Sequence, residues 1–110
     1  MTLYGIPTCD TCRKARKALE AAGHAVALHD VRAQPLAGAE IAAFLDVFGD
    51  ALVNRKSTTW RGLSDDERGS DPAALLAAHP PLMKRPVITD GTRRTLGWSD
   101  AICDGWGSGV

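Results

Sequence analysis

Apolar positions change period twice within the first thirty residues. Thr2 to Ile6 is a short apolar run that predicts a strand, and Pro7-Thr8 breaks it. From Asp10, the residues Cys12, Ala15, Leu19 and Ala22 recur at three- and four-residue spacing, the pattern of an amphipathic helix. Arg13, Lys14, Arg16, Lys17 and Glu20 fall largely between them and form the solvated face. Gly23 is placed to end that helix in a left-handed C′ conformation. Ala25 to Val31 predicts a second strand. Strand, helix and strand in this order make a βαβ unit, whose right-handed crossover sets the two strands parallel.

The middle of the chain reads as helical. Pro35-Leu36-Ala37-Gly38 forms a turn, and a helix over residues 39–48 follows with Ile41, Phe44, Leu45 and Phe48 on its apolar face. Residues 51–60 predict a short apolar anchor, Leu52 and Val53, and then a polar loop. Ser64-Asp65-Asp66-Glu67 has the Ser-x-x-Glu form of a capping box. Asp71-Pro72 marks a further helix start, with Pro72 at N1, and that helix stops before Pro80-Pro81. Val87 to Thr89 predicts a third strand, Asp90-Gly91 a hairpin, and Thr92 to Gly97 a fourth strand antiparallel to it. Ser99-Asp100 opens a short last helix to about Cys103, and residues 105–110 read as a frayed Gly/Ser-rich tail. The order is βαβ, a helical insertion over about residues 36–80, then ββα. It is the order of a thioredoxin-like α/β fold with a four-stranded mixed sheet, built as one domain over residues 1–110.

Composition narrows the function classes. The chain has 110 residues, 45% hydrophobic and 24% charged, which fits one ordinary globular domain. Thirteen basic residues balance thirteen acidic ones, so no global field favours nucleic acid or an anionic membrane. There is neither a leader pattern nor an apolar run of membrane-spanning length. A cytoplasmic monomer, where thiols stay reduced, is the expectation. Three cysteines are an odd number, which argues against a secreted disulfide framework.

Two of those cysteines, Cys9 and Cys12, form a C-x-x-C between a strand and a helix. The unpaired N–H groups and the dipole of the first helical turn stabilise an anion there, so a Cys9 thiolate is favoured. Arg13 and Lys14 are expected to add positive charge, and Asp10 to oppose it. Cys12 lies one turn on, where i, i+3 spacing brings the side chains to one side and permits a disulfide, with Cys9 attacking and Cys12 resolving. The alternative for a C-x-x-C is half a zinc site, but no second C-x-x-C and no H-x₃₋₅-H pair supplies the other ligands, and no metal is expected. His24, His29 and His79 are scattered. Cys103 reads as a small buried hydrophobe, and Trp60 and Trp98 as packing residues.

The segment from Tyr4 to Arg16, Tyr-Gly-Ile-Pro-Thr-Cys-Asp-Thr-Cys-Arg-Lys-Ala-Arg, resembles the N-terminal signature of the ArsC/Spx/YffB family. His29-Asp30-Val31-Arg32, the stretch from Leu52 to Arg61, and Lys84-Arg85-Pro86-Val87 agree in the same order, so the resemblance runs from about residue 2 to residue 102. It is nearest to the YffB-type glutathione-dependent thiol reductases. The resemblance implies that Cys9 is the nucleophile of a Cys-x-x-x-Arg turn with Arg13 as its arginine. It implies that Arg55 and Arg85 hold an oxyanion or substrate carboxylate, and that Pro86 is the cis-proline facing the cysteine.

The implied activity is a thiol-disulfide oxidoreductase with no bound cofactor. Its co-substrate would be glutathione, or another small thiol or disulfide, and glutaredoxin is a possible partner. Two alternatives stay open. One is glutathione- or glutaredoxin-linked arsenate reduction, although Trp98 stands near where the reductases carry a third arginine and cannot offer a guanidinium fork. The other is an Spx-like redox-sensing regulator that binds RNA polymerase.

Overall fold

The computed structural model describes residues 1–107, and the chain divides into two compact units. One joins Met1–Asp30 to the chain from Arg85 onward, and the other is Val31–Lys84.

The first unit holds a four-stranded sheet in the order β2-β1-β3-β4, formed by β1 (Thr2–Gly5), β2 (Ala27–Asp30), β3 (Val87–Thr89) and β4 (Arg94–Leu96). β1 pairs parallel with β2 and antiparallel with β3, and β3 pairs antiparallel with β4, so the sheet is mixed as expected. Leu3 aligns with Leu28 on one side and Ile88 on the other. Helix α1 (Asp10–Ala21) buries Cys12, Ala15 and Leu19 at the predicted spacing. These residues cluster with Leu3, Ile88 and Trp106. α1 ends in a Schellman motif: His24 N–H donates to Leu19 O and Gly23 N–H to Glu20 O, both at 3.0 Å, with Gly23 at φ +96°.

Three boundaries of this unit differ from expectation. β2 starts at Ala27, whose N–H donates to Met1 O. β4 starts at Arg94 because the Asp90 carboxylate accepts the Thr92 and Arg93 N–H groups, turning a tight hairpin into a longer loop. The last helix, named α6 here because α2 to α5 precede it in the chain, runs over Asp100–Gly107. It therefore continues through Gly105, where fraying was expected; residues 108–110 of that tail lie outside the described residues. Its anchor is Trp106, which is 3% exposed. Trp106 Nε1 donates to Thr95 Oγ1 at 2.8 Å, its carbonyl accepts from His24 Nε2 at 2.8 Å, and Arg93 lies over its ring at 4.0 Å.

The second unit is helical: α2 (Gly38–Phe48), α3 (Thr58–Arg61), α4 (Asp65–Arg68) and α5 (Pro72–Ala78), with 3₁₀ turns at Gly49–Leu52 and Pro80–Leu82. It begins before and ends after the expected 36–80 insertion. α2 buries Ile41 and Phe44, packs against α5, and leaves Leu45 and Phe48 only partly covered. The Glu40 carboxylate accepts Ala37 N–H at the start of α2. The capping box of α4 forms as read, with Ser64 Oγ accepting Glu67 N–H and Glu67 Oε1 accepting Ser64 N–H. α3 was not expected. It is a single turn inside the polar loop, nucleated by Ser57 Oγ accepting Trp60 N–H at 3.1 Å.

Candidate functional site

Cys9 is the N-cap of α1, with φ −78° and ψ 120°. Its N–H donates to Ile6 O and its carbonyl accepts Arg13 N–H, each at 3.0 Å, so the turn that carries the sulfur is fixed on both sides. Partial burial raises its pKa. That effect is outweighed by donation from the Cys12 backbone N–H, from the Cys12 thiol and from Arg85, whose charge adds to its hydrogen bond. The net direction is down from 9.0, toward thiolate.

Cys12 moves the other way. It is 2% exposed, and burial pushes its thiol up to about 11. A hydrogen bond from the Ile6 backbone works against burial, the neighbouring Cys9 adds to it, and the Arg85 charge opposes it. The pair thus divides into an ionisable outer sulfur and a protonated inner one that donates to it. Gly5 makes the inner position possible. A Cβ at Gly5 would lie 2.5 Å from Cys12 Sγ, so β1 can approach α1 this closely only without a side chain there. A glycine ending a strand just before the cysteine turn was the available sequence signal for that approach.

The cation at the sulfur is Arg85, which the resemblance named for an oxyanion or substrate carboxylate, and the Arg85–Pro86 bond is cis. Pro86 is buried, and its carbonyl accepts Gly97 N–H at 2.8 Å, which ties this turn to the end of β4. Arg13, expected from its place in the first turn to add positive charge at Cys9, pairs within its own helix. Its Nη2 donates to Asp10 Oδ1, and both side chains are largely in solvent. The opposition expected of Asp10 and the support expected of Arg13 at Cys9 are thus paired with each other. Lys14 is exposed. Arg55 belongs to the Val31–Lys84 unit, where its guanidinium lies 5.4 Å over the Trp60 ring. Trp98 packs against the core around Leu3 and Trp106, and Cys103 is only partly buried.

A cysteine at a helix N-cap, one turn from a second cysteine, with the arginine of a cis Arg–Pro bond at its sulfur, defines a thioredoxin-like protein of arsenate reductase-like type. The chain belongs to the ArsC family, whose model matches residues 4–104. It is 36% identical over 105 residues to an uncharacterized protein of Haemophilus influenzae, covering 91% of this chain and 92% of that one. It is 29% identical over 106 residues to the global transcriptional regulator Spx of Bacillus subtilis, covering 91% of this chain and 81% of Spx. Among solved structures, a YffB protein superposes with a TM-score of 0.88 at 29% identity, over 94% of this chain and 96% of that one. Among the described residues, no helix is long and apolar enough to cross a membrane.

Proposed function

We propose that this protein is a thiol-disulfide oxidoreductase that uses glutathione as its co-substrate, with the Cys9 thiolate as nucleophile. The observation that carries the reading is the convergence of Cys12 N–H, Cys12 S–H and Arg85 on one partly exposed sulfur. In the first step Cys9 Sγ attacks the glutathionyl sulfur of a disulfide that contains glutathione. A Cys9–S bond forms, the substrate S–S bond breaks, and the other half leaves as a thiolate that takes a proton from solvent. In the second step a glutathione thiolate attacks the mixed disulfide, forms oxidised glutathione and frees Cys9. Arg85 steadies the charge on Cys9 in its resting and leaving states. Arg85 is assigned an anionic group of the substrate, and Cys12 serves first as a hydrogen-bond donor.

Mass spectrometry after incubation with oxidised glutathione tests this. One glutathionyl group on Cys9 is the expected product, absent in Cys9→Ser. A chain that stays unmodified, or that is modified only at Cys12 or Cys103, would rule the reading out.

A second reading is favoured by the contact between the two sulfurs and the similarity to Spx. It makes a Cys9–Cys12 disulfide the switch of a regulator that engages RNA polymerase. The same measurement separates the two, since the switch predicts an internal disulfide with no lasting adduct.

A further inference from the structure

An open cleft of about 170 Å³ lies where the Cys9 turn, α1 and β2 come together. Ile6 and Pro7 line it from the turn before Cys9, Cys12, Arg13 and Arg16 from α1, and Leu28 from β2. All six belong to the unit that carries Cys9. Two of them are fastened to the Cys9 main chain: Cys9 N–H donates to Ile6 O, and Arg13 N–H to Cys9 O, each at 3.0 Å. The cleft therefore starts at the turn that holds the reacting sulfur.

Its lining is of two kinds. Ile6, Pro7 and Leu28 make an apolar wall, in which Pro7 is exposed and Leu28 only partly covered. Arg13 and Arg16 stand three residues apart, on one side of α1. Each is paired with a carboxylate of its own helix, Asp10 and Glu20, but both pairs are open to solvent. Such exposed pairs are weak, so an incoming carboxylate can replace either. Over its length α1 carries Arg13, Lys14, Arg16 and Lys17 against Asp10 and Glu20, an excess of two positive charges. The dipole at its N-terminus adds to the attraction for an anion.

Volume decides the kind of occupant. Clefts that hold a whole small ligand run to about 300–1,000 Å³. This one has room for a single aliphatic side chain, so its occupant is part of something larger. We propose that it is the subsite for the leaving half of the disulfide, a polypeptide segment with an aliphatic residue beside its cysteine and a carboxylate beyond. The proposal rests on the thiol-disulfide reading above and names its substrate class. Ile6, Pro7 and Leu28 select the aliphatic side chain, and Arg13 and Arg16 the carboxylate. Neighbouring Cα atoms of an extended peptide lie about 3.8 Å apart, and one helical turn rises about 5.4 Å. A side chain one residue from the cysteine engaged at Cys9 therefore reaches the first turn of α1, and one two residues away reaches toward Arg16. In the exchange, a bond forms between Cys9 Sγ and the glutathionyl sulfur, and the bond from that sulfur to the peptide cysteine breaks. The peptide leaves as a thiolate that takes a proton from solvent.

The test compares kcat/KM, at low ionic strength with glutathione as reductant, for glutathione disulfides of three blocked peptides: Glu-Leu-Cys-Leu-Glu, Glu-Ser-Cys-Ser-Glu and Lys-Leu-Cys-Leu-Lys. Glutathione hydroxyethyl disulfide, which has no side chain for the cleft, measures basal turnover. The serine peptide should fall about tenfold below its leucine counterpart, the loss expected when an aliphatic side chain is no longer buried. The lysine peptide should fall about threefold or more, a difference that rising salt removes. Arg16→Glu should erase the preference for glutamate while leaving basal turnover and the leucine-to-serine ratio unchanged.

Equal kcat/KM for the leucine and serine peptides, or a charge preference that survives Arg16→Glu, would overturn the proposal, and basal turnover would then leave the oxidoreductase reading standing. Failure to turn over any of the four disulfides would remove that reading and this one together.

Discussion

Replacing Gly5 by alanine would drive a methyl group into the contact that positions the two sulfurs. The new Cβ would lie 2.5 Å from Cys12 Sγ, 3.2 Å from Leu3 Cδ2 and 3.3 Å from Cys12 Cβ. Nonbonded carbon contacts settle near about 3.5–4 Å, so roughly one ångström of overlap must be removed. Cys12 has little room to retreat, because it is packed with Leu3, Ala15, Leu19, Ile88 and Trp106. An extra methyl in a close-packed core costs about 1–3 kcal/mol. For a domain near this size each kcal/mol lowers Tm by about 4 °C, so thermal unfolding followed by circular dichroism should show a fall of about 4–12 °C. Cys12→Ala removes the atom responsible for the shortest contact. In that background Gly5→Ala should cost less than half as much, a coupling above the ~0.5 kcal/mol scatter of independent sites. Equal cost in both backgrounds would refute the reasoning, because the sulfur would then not be what requires glycine.

Three further outcomes follow from the same geometry. Arg85→Gln removes a hydrogen bond and a charge from Cys9, so the alkylation rate of Cys9 should rise at higher pH than in the parent; an unmoved profile would mean the Cys12 donors suffice. With Cys9 replaced by serine, the folded protein should lose stability as pH rises above 9.0, because burial still holds on native Cys12 a proton that the unfolded chain releases. Denaturant titrations across that range should lose this slope on adding Cys12→Ala, and identical slopes would count against it. The intact Cys9 contributes with the opposite sign, present above 9.0 and lost as pH falls through its lowered folded value. Trp106→Ala should destabilise by about 3–5 kcal/mol. A Tm unchanged by that substitution would mean the end of α6 is not part of the core.

What could be read from the chain beforehand divides along physical lines. Periodicity located α1, the strands and most helices, because one buried face imposes a regular spacing on residues such as Cys12, Ala15 and Leu19. Local capping chemistry located α4 through Ser64 and Glu67 for the same kind of reason. The end of α6 was misread because its Gly-rich composition says loop, whereas the tertiary burial of Trp106 overrides propensity. The α3 turn was missed because one side-chain cap at Ser57 has no periodic signature. At the sulfur, proximity in sequence favoured Arg13, but the helix directs that guanidinium to Asp10. Arg85 arrives from more than seventy positions away, and the family resemblance named it for an oxyanion or substrate carboxylate rather than for the sulfur.

The Schellman closure of α1, with His24 then hydrogen-bonded to the Trp106 carbonyl, bears on how motion is distributed. A helix terminus ordinarily opens and closes freely, and its last amides trade hydrogen for deuterium long before the middle does. Here the far end of the rod that carries Cys9 is clasped by another element. Its final-turn amides should exchange only through larger openings that also release α6, giving the reactive atom a mount that does not fray.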